Sequence, residues 1–210
     1  TMLFEAFVMA LAKEMPISKI GELVEEQDTR IWRIVRGYVN RSYAKKCFSD
    51  VEKIGTDETS SRKGHNYVTV FADMESGEVL FATEGKDSAT IKAFSEELPK
   101  HEAKPEQIQE VTMDMSPAFI SGVASYLPAA SVTFDKFHVI QALNKAQDAV
   151  RRMEQAKNPL LKRSRYIWLK NPENLTAEQQ KQLATLRREN LKTAKVYQMK
   201  LTFQDIYRNI

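Results

Sequence analysis

The spacing of hydrophobic residues divides the chain into three zones, and the first zone is helical. Apolar positions recur at helical spacing from Leu3 to about Lys46. The pattern predicts helices over Leu3–Met15, Ser18–Val24 and Arg30–Lys45, with Pro16 ending the first. Two short helices joined by a tight polar turn are typical of a helix-turn-helix, and a plain helical hairpin is the other interpretation.

The third predicted helix carries candidates for DNA contact. Arg33 and Arg36 lie on it at helical spacing, and a helix of this kind can place such side chains in a DNA groove. Trp32, on the same helix, is interpreted as a core residue rather than as a platform on which a base stacks.

The second zone changes to the two-residue period of β-strands. Strands are predicted over Val51–Thr59, Tyr67–Asp73, Glu78–Thr83, a stretch ending at Asp114, and Ser131–Phe134. Helices are predicted over Ser88–Leu98 and Ser116–Tyr126. The resulting order, β-β-β-α-β-α-β-α, is that of the ribonuclease-H-like α/β fold. That fold is a mixed five-stranded sheet with three antiparallel strands and two later strands added in parallel.

The third zone is helical again. Helices are predicted over Phe137–Met153, over Leu160–Leu169 and from Ala177 to the end. We therefore expect a helical DNA-binding segment over 1–48, a ribonuclease-H-like core over 49–150 and a helical region over 151–210. The last helix stops in mid-pattern, which suggests a truncated protein.

Two aspartates stand at the ends of predicted neighbouring strands. Asp57 follows the apolar start of the first strand, and Asp114 ends the fourth. Carboxylates at a sheet edge can converge on a divalent cation, and a lone aspartate at a strand end is more often a turn residue. Strand alternation turns Glu58 to the face opposite Asp57, which argues against Glu58 as a direct ligand.

Several other polar residues have less specific settings. Arg62, Lys63 and His65 form a basic cluster after the first strand, which either contacts a DNA backbone or simply solvates a loop. His101 is interpreted as a surface residue.

Composition excludes several classes of protein. The chain has 210 residues, of which 42% are hydrophobic and 28% charged, as expected for a folded domain with appendages. It has no apolar run near the ~18–20 residues that span a bilayer, and its start lacks the basic leader of a signal peptide. Cys47 is the single cysteine, so neither an internal disulfide nor a cysteine zinc site is expected. These features predict a cytoplasmic protein with no membrane partner.

Charge is distributed unevenly along the chain. Lysine and arginine minus aspartate and glutamate gives +1 for residues 1–50, −8 for 51–135 and +10 for 136–210. An acidic middle suits a cation site and a basic tail suits a polyanion, although basic helical surfaces are also common in proteins that bind no nucleic acid.

Five separated motifs together resemble one known family. They are Ile54–Glu58 (IGTDE), Arg62–His65 (RKGH), Asp114–Ala118 (DMSPA), Phe134–Val139 (FDKFHV) and Ser164–Pro172 (SRYIWLKNP). In this order they resemble the DDE-type transposases of bacterial insertion sequences, specifically the ISL-three family. The resemblance extends over the whole chain.

The resemblance implies an enzyme that cuts and joins DNA with three essential carboxylates. Asp57 matches the first and Asp114 the second, and together they would hold Mg²⁺ or Mn²⁺. The third, a glutamate in a Glu-Gly-x-Asn setting after a helical insertion, has no counterpart at Glu154, Glu173, Glu178 or Glu189. Residues 139–210 would then be the insertion.

The same resemblance implies partners and two supporting residues. Double-stranded DNA is expected as partner, both terminal inverted repeats and target DNA, with self-association in a synaptic complex. Asp135 and His138 occupy the place of a Cys-x-x-His pair in related transposases, which implies a role in shaping the site, while a helix N-cap is the competing account for Asp135. The alternative function is a catalytically inactive DNA-binding remnant.

Overall fold

The computed structural model describes residues 1–60, 64 and 66–206, and its N-terminal part is a unit of three helices. These are α1 (Met2–Leu11), α2 (Ile17–Val24) and α3 (Asp28–Tyr43). Each helix contributes one fully buried side chain to a shared cluster, namely Val8, Ile20 and Ile31. The apolar stripe that predicted the helices is therefore what holds them together.

The turn between α2 and α3 is tight because of two residues. Glu25 takes a left-handed conformation with φ 57° at the end of α2. A Cβ on Gly21 would lie 2.6 Å from Asp28 Oδ1 and 2.8 Å from the Glu26 carbonyl oxygen, so only glycine lets the turn approach α2 this closely. Trp32 on α3 is 46% exposed, and its interpretation as a core residue is wrong.

Five strands form the central sheet. They are β1 (Lys53–Ser60), β2 (Tyr67–Asp73), β3 (Val79–Glu84), β4 (Glu110–Met113) and β5 (Ser131–Phe134). Two helices lie between the later strands, α4 (Ser88–Glu97) and α5 (Pro117–Tyr126). Each of these elements lies within a few residues of its predicted position.

The strand order is β3-β2-β1-β4-β5. β2 pairs antiparallel with both β1 and β3, while β4 pairs parallel with β1 and with β5. This topology confirms the predicted ribonuclease-H-like fold. Its two parallel pairs bring the ends of β1, β4 and β5 to one edge of the sheet.

The main core lies between the sheet and helices α4 and α5. Ile54 of β1 and Val111 of β4 are paired across the sheet and are both fully buried in this core. Phe71 of β2 stacks on Phe94 of α4 with ring centroids 4.4 Å apart. Because side chains alternate along a strand, burial of Ile54 and Thr56 turns Asp57 to the other face of β1.

His101 belongs to this core rather than to the surface, so its sequence interpretation is wrong. It is 3% exposed and its ring stacks on Phe48 with centroids 4.4 Å apart. Its Nδ1 lies 2.8 Å from the Lys46 carbonyl oxygen and its Nε2 lies 3.4 Å from Glu97. The short helical turn over Leu98–His101 after α4 brings the ring inward.

The C-terminal helices form a second core. They are α6 (Lys136–Gln155), α7 (Arg165–Leu169), α8 (Ala177–Arg188) and α9 (Lys192–Ile206), and the last three share a buried cluster that includes Trp168 and Tyr197. Helix α6 continues across the boundary predicted between 150 and 151. The division into 1–48, 49–150 and 151–210 stays a prediction.

Two predicted helices of this region differ from the structure. The one predicted over Leu160–Leu169 is shortened to α7, because Arg163 takes a left-handed φ of 60° and the Ser164 hydroxyl donates to the Leu161 carbonyl. The one predicted from Ala177 onward is two helices, α8 and α9. Glu154 accepts hydrogen bonds from the backbone N–H groups of Lys192 and Thr193, which begin α9. Within residues 1–60, 64 and 66–206, no helix has both the length and the apolar character that crossing a bilayer requires.

Candidate active site

Asp57 lies in β1, and Asp114 directly follows β4, which pairs parallel with β1. Lys53 pairs with Glu110, Ile54 with Val111 and Gly55 with Thr112, so partners differ by 57 in number. Asp57 and Asp114 keep that difference two residues beyond the last pair. Paired residues of a parallel sheet project from the same face, and continuing this register by two residues aligns the backbone positions of Asp57 and Asp114.

Each aspartate is held by a hydrogen bond to nearby backbone. Asp57 Oδ1 accepts from the N–H of Glu58 at 2.8 Å. Asp114 Oδ1 accepts from the N–H of Ser116 at 2.8 Å, across the turn that leads into α5. These contacts limit the rotation of both carboxyl groups before any ligand binds, which reduces the entropy lost on binding.

Glu58 lies close enough to both aspartates to respond to their charge. Burial raises the pKa of the Glu58 carboxyl, and the negative charges of Asp114 and Asp57 raise it further, while Lys86 and His138 act in the opposite direction. The alternation of side chains along β1 predicted that Glu58 projects from the face opposite Asp57. The pKa of Glu58 nevertheless responds to the charges of both aspartates.

Asp135 and His138 lie where β5 passes into α6. The N–H of Asp135 donates to the Met113 carbonyl at 2.7 Å, and its Oδ1 caps α6 by accepting from the N–H of Phe137 at 2.6 Å. His138, one turn further, lines a cavity of about 220 Å³ together with Asp114. The competing account of Asp135 as a helix cap is thus observed, and the cap fixes the start of the helix that carries His138.

The candidate DNA-binding residues fall into two groups. Arg33 and Arg36 are exposed on α3, and the Arg36 guanidinium lies over the Trp32 ring, 5.7 Å from its centroid. The predicted cluster of Arg62, Lys63 and His65 lies outside the described residues.

The metal ligands predicted from the sequence are two carboxylates, those of Asp57 and Asp114. Within the described part of the chain, no three His, Cys, Asp or Glu side chains converge closely enough to hold a metal ion. Glu154, the first glutamate after Asp135, is committed to the start of α9. Two hard oxygen donors suit Mg²⁺, which commonly takes one or two protein carboxylates and keeps further positions for water and substrate phosphate.

Beyond His138, helix α6 adds residues that sequence interpretation missed. His138, Gln141, Lys145, Asp148 and Arg152 follow one another at spacings of three or four and share one face. They line two adjacent cavities, and we call this surface, with Asp114 at one end and Arg165 of α7 at the other, the α6 groove. The periodicity was visible in the sequence, but the position of the stripe next to Asp114 was not.

Comparison with known proteins identifies the family. Residues 54–209 match the protein-family model DDE_Tnp_ISL3, described as a transposase. The chain is 31% identical over 158 residues to the transposase for insertion sequence element IS1001 of Bordetella parapertussis, which covers 71% of this chain and 38% of that protein. It is 28% identical over 211 residues to the transposase for insertion sequence element IS1557 of Mycobacterium tuberculosis strain H37Rv, covering 84% and 47%.

Among solved structures, the catalytic cores of two viral integrases are similar to the chain. The HTLV-2 integrase catalytic core domain in complex with magnesium has a TM-score of 0.31 at 17% identity, covering 70% of this chain and 90% of that one. The BIV integrase catalytic core domain has a TM-score of 0.31 at 14% identity, covering 72% and 81%.

The present chain spans less than half the length of the two insertion-sequence relatives. The family match nevertheless extends over most of it, beginning in β1 and including every motif from Asp57 to the C-terminal helices. The chain belongs to the ISL-three family of DDE transposases.

Proposed function

We propose that this chain provides the DNA-binding segment and part of the catalytic core of an insertion-sequence transposase, which cuts DNA strands and transfers them to target DNA by a two-metal DDE mechanism. The observation that supports the proposal is the β1–β4 register, which aligns the positions of Asp57 and Asp114 when it is continued by two residues. The proposed partners are double-stranded DNA, as terminal inverted repeats and as target, and further copies of the protein in a synaptic complex.

Asp57 and Asp114 are proposed to hold a divalent cation, Mg²⁺ or Mn²⁺, at the edge of the sheet. Bound cations of this kind stabilise the attacking and leaving oxygens of a phosphoryl transfer. The two carboxylates provide hard oxygen donors on rigid strands, and their backbone hydrogen bonds keep them oriented.

Asp135 and His138 are proposed to shape the site rather than to hold metal. The Asp135 cap fixes the first turn of α6, and that turn holds the His138 imidazole in the cavity it shares with Asp114. An imidazole at this position can donate a hydrogen bond to a phosphate oxygen or orient a carboxylate.

Arg33 and Arg36 are proposed to contact DNA from α3, as the second helix of a helix-turn-helix. Arg62, Lys63 and His65 are proposed as further contacts to the DNA backbone. Arginine suits both purposes, because its planar guanidinium can form paired hydrogen bonds to guanine or to phosphate.

DNA binding without catalysis is the second candidate function, and one observation favours it for these 210 residues. Within the ranges that the structure describes, no three His, Cys, Asp or Glu side chains form a group that could hold a metal ion. A DDE site with two of its three carboxylates would bind substrate but lack part of its metal coordination.

Binding of Mn²⁺ tests the proposed site without requiring activity. In isothermal titration in the presence of DNA, we expect Asp57→Asn and Asp114→Asn each to weaken Mn²⁺ binding at least tenfold, since each removes an anionic ligand. Asp50→Asn is the matched control, because Asp50 is exposed and precedes β1 at its opposite end. Equal binding by Asp57→Asn, Asp114→Asn and Asp50→Asn would contradict the proposal.

A further inference from the structure

Helix α6 carries a continuous polar stripe that starts at the candidate active site. Its members run from His138 to Arg152 at spacings of three and four residues, and so occupy one face of the helix. At 1.5 Å per residue the stripe is about 21 Å long. The catalytic proposal uses only its first member, His138.

Two cavities along this stripe share lining residues. The one at Asp114 and His138 has a volume of about 220 Å³, and the next one, between α6 and α7, has a volume of about 350 Å³. Gln141 and Lys145 line both cavities. A ligand that extends from Asp114 along α6 therefore passes both cavities.

Positive charge increases along this path with distance from Asp114. Lys145, which lines both cavities, is exposed, with Nζ donating to Gln141 Oε1 at 3.2 Å. Arg152 and Arg165 stand at the far end, with side chains 69% and 51% exposed. Three exposed cations thus line a path whose near end is acidic.

Asp148 orients the two arginines without cancelling the positive charge. Its Oδ2 lies 2.9 Å from Arg152 and 3.5 Å from Arg165, while the buried Arg151 holds its Oδ1 at 2.8 Å. Although burial acts to raise it, hydrogen bonds and charge from Arg151 and Arg152 lower the pKa of Asp148. The carboxylate therefore stays ionised and holds both exposed guanidinium groups on the groove.

We infer that the α6 groove binds the phosphate backbone of a single DNA strand that extends from the site of Asp57 and Asp114. Lys145 contacts a phosphate near the site, and Arg152 and Arg165 contact phosphates further along. This inference rests on the proposed function, and it specifies the route that the DNA substrate takes away from the candidate active site. Charge complementarity and continuity with Asp114 select this ligand.

The length of the α6 groove determines which lengths of single-stranded DNA should be tested. Stacked nucleotides rise about 3.4 Å along one strand, so a 21 Å groove spans about six of them. Fluorescence anisotropy of the 210-residue protein would compare a blunt duplex with duplexes that carry single-stranded overhangs of three and six nucleotides. We expect affinity to rise with overhang length.

Lys145→Gln is the first variant, because Lys145 contacts only exposed Gln141 among its described hydrogen bonds, and its loss leaves the fold intact. Each phosphate contact to a single strand contributes about 0.7 to the slope of log K against log salt. We therefore expect about fivefold weaker binding of the six-nucleotide overhang at 0.1 M salt, and a slope reduced by about 0.7. The double variant Arg152→Gln, Arg165→Gln should reduce the slope by roughly twice that amount, about 1.4. Arg151 would still pair with Asp148 in this variant.

Lys92→Gln and Arg188→Gln are the matched controls, since both remove one charge from exposed positions outside the groove. Equal effects of Lys145→Gln and Lys92→Gln, or equal losses on blunt and overhung DNA, would overturn the groove assignment alone. Failure of the unaltered protein to bind any of these DNAs would overturn the proposed function as well.

Discussion

Lys200 illustrates at the scale of one residue how a charged group is placed in the second core. Its side chain is 2% exposed, and its Nζ donates to the carbonyl oxygens of Trp168 at 2.9 Å and Leu169 at 3.2 Å, with Asn144 Oδ1 at 3.3 Å. These carbonyls belong to the end of α7. The amine thus links α7 to α6 and α9, and burial lowers the pKa of Lys200 to about 8.

The lowered pKa predicts a stability that depends on pH. The unfolded lysine has a pKa of about 10.4, so between pH 8 and 10.4 the unfolded state binds more protons than the folded state. Folding stability should therefore rise with pH in this window, by at most about 1.4 kcal/mol per pH unit, and this contribution is lost as pH falls through 8.

Urea unfolding of the protein and of Lys200→Met at pH 7, 8, 9 and 10 measures this contribution. The free energy of unfolding of the unaltered protein should increase relative to that of Lys200→Met as pH rises. Lys195→Met, which replaces an exposed lysine of the same helix, should show a constant difference. A constant difference for Lys200→Met would mean that Lys200 titrates as a free lysine.

At the scale of elements, the close contact between α2 and the turn that leads to α3 depends on Gly21, which has no Cβ. Gly21→Ala would force its Cβ against Asp28 Oδ1 and the Glu26 carbonyl, and overpacking of this kind costs about 1–3 kcal/mol. Gly37→Ala on α3 would meet only the flexible end of Arg41 at 3.5 Å, and should stabilise the helix by about 0.5–1 kcal/mol. Denaturant unfolding of both variants measures whether Gly21→Ala lowers and Gly37→Ala raises the free energy of unfolding. Equal changes in the two variants would contradict the close approach of the turn to α2.

Helix α3 should also decide which DNA the protein prefers. If Arg33 and Arg36 read bases, replacing either by alanine should reduce the preference for terminal-repeat DNA over unrelated DNA by about 1–3 kcal/mol. Competition binding with the two DNAs measures this preference. Arg41→Ala is the control, because its guanidinium lies over the Tyr38 ring at 4.4 Å, and it should leave the preference unchanged. A loss of affinity that is equal for both DNAs would assign Arg33 and Arg36 to the phosphate backbone.

At the scale of the whole molecule, the carboxylate count governs activity. The described part of the chain holds no group of three His, Cys, Asp or Glu side chains that could bind a metal ion, and losing one member of a cooperating catalytic unit costs several orders of magnitude in rate. We expect the 210-residue protein to bind terminal-repeat DNA but not to cut it with Mg²⁺ or Mn²⁺, as measured on labelled strands by denaturing gel. The IS1557 transposase is the positive control. Cleavage by the 210-residue protein that Asp57→Asn abolishes would show that a third ligand lies within it.

Much of the fold could be predicted from the sequence, because the local spacing of hydrophobic residues is enough to identify most helices and strands. A two-residue period in β2 and β5 and a helical period in α3 and α6 depend only on which side chains must face a core, and they predicted element order and hence sheet topology. Asp57 and Asp114 were recognisable for the same reason, since each follows an apolar stretch of a predicted strand, although β1 continues past Asp57 to Ser60. Local pattern failed where a distant contact decides the outcome, as at the break between α8 and α9, where Glu154 from α6 supplies the cap.

Tertiary structure alone decided which residues share a surface. Trp32 and His101 were assigned to the wrong environments because exposure depends on which elements pack nearby, which no single segment specifies. The stripe on α6 is an ordinary amphipathic face in the sequence. It becomes a path from Asp114 only because parallel pairing of β4 and β5 delivers the start of α6 to the edge of the sheet where β1 also ends.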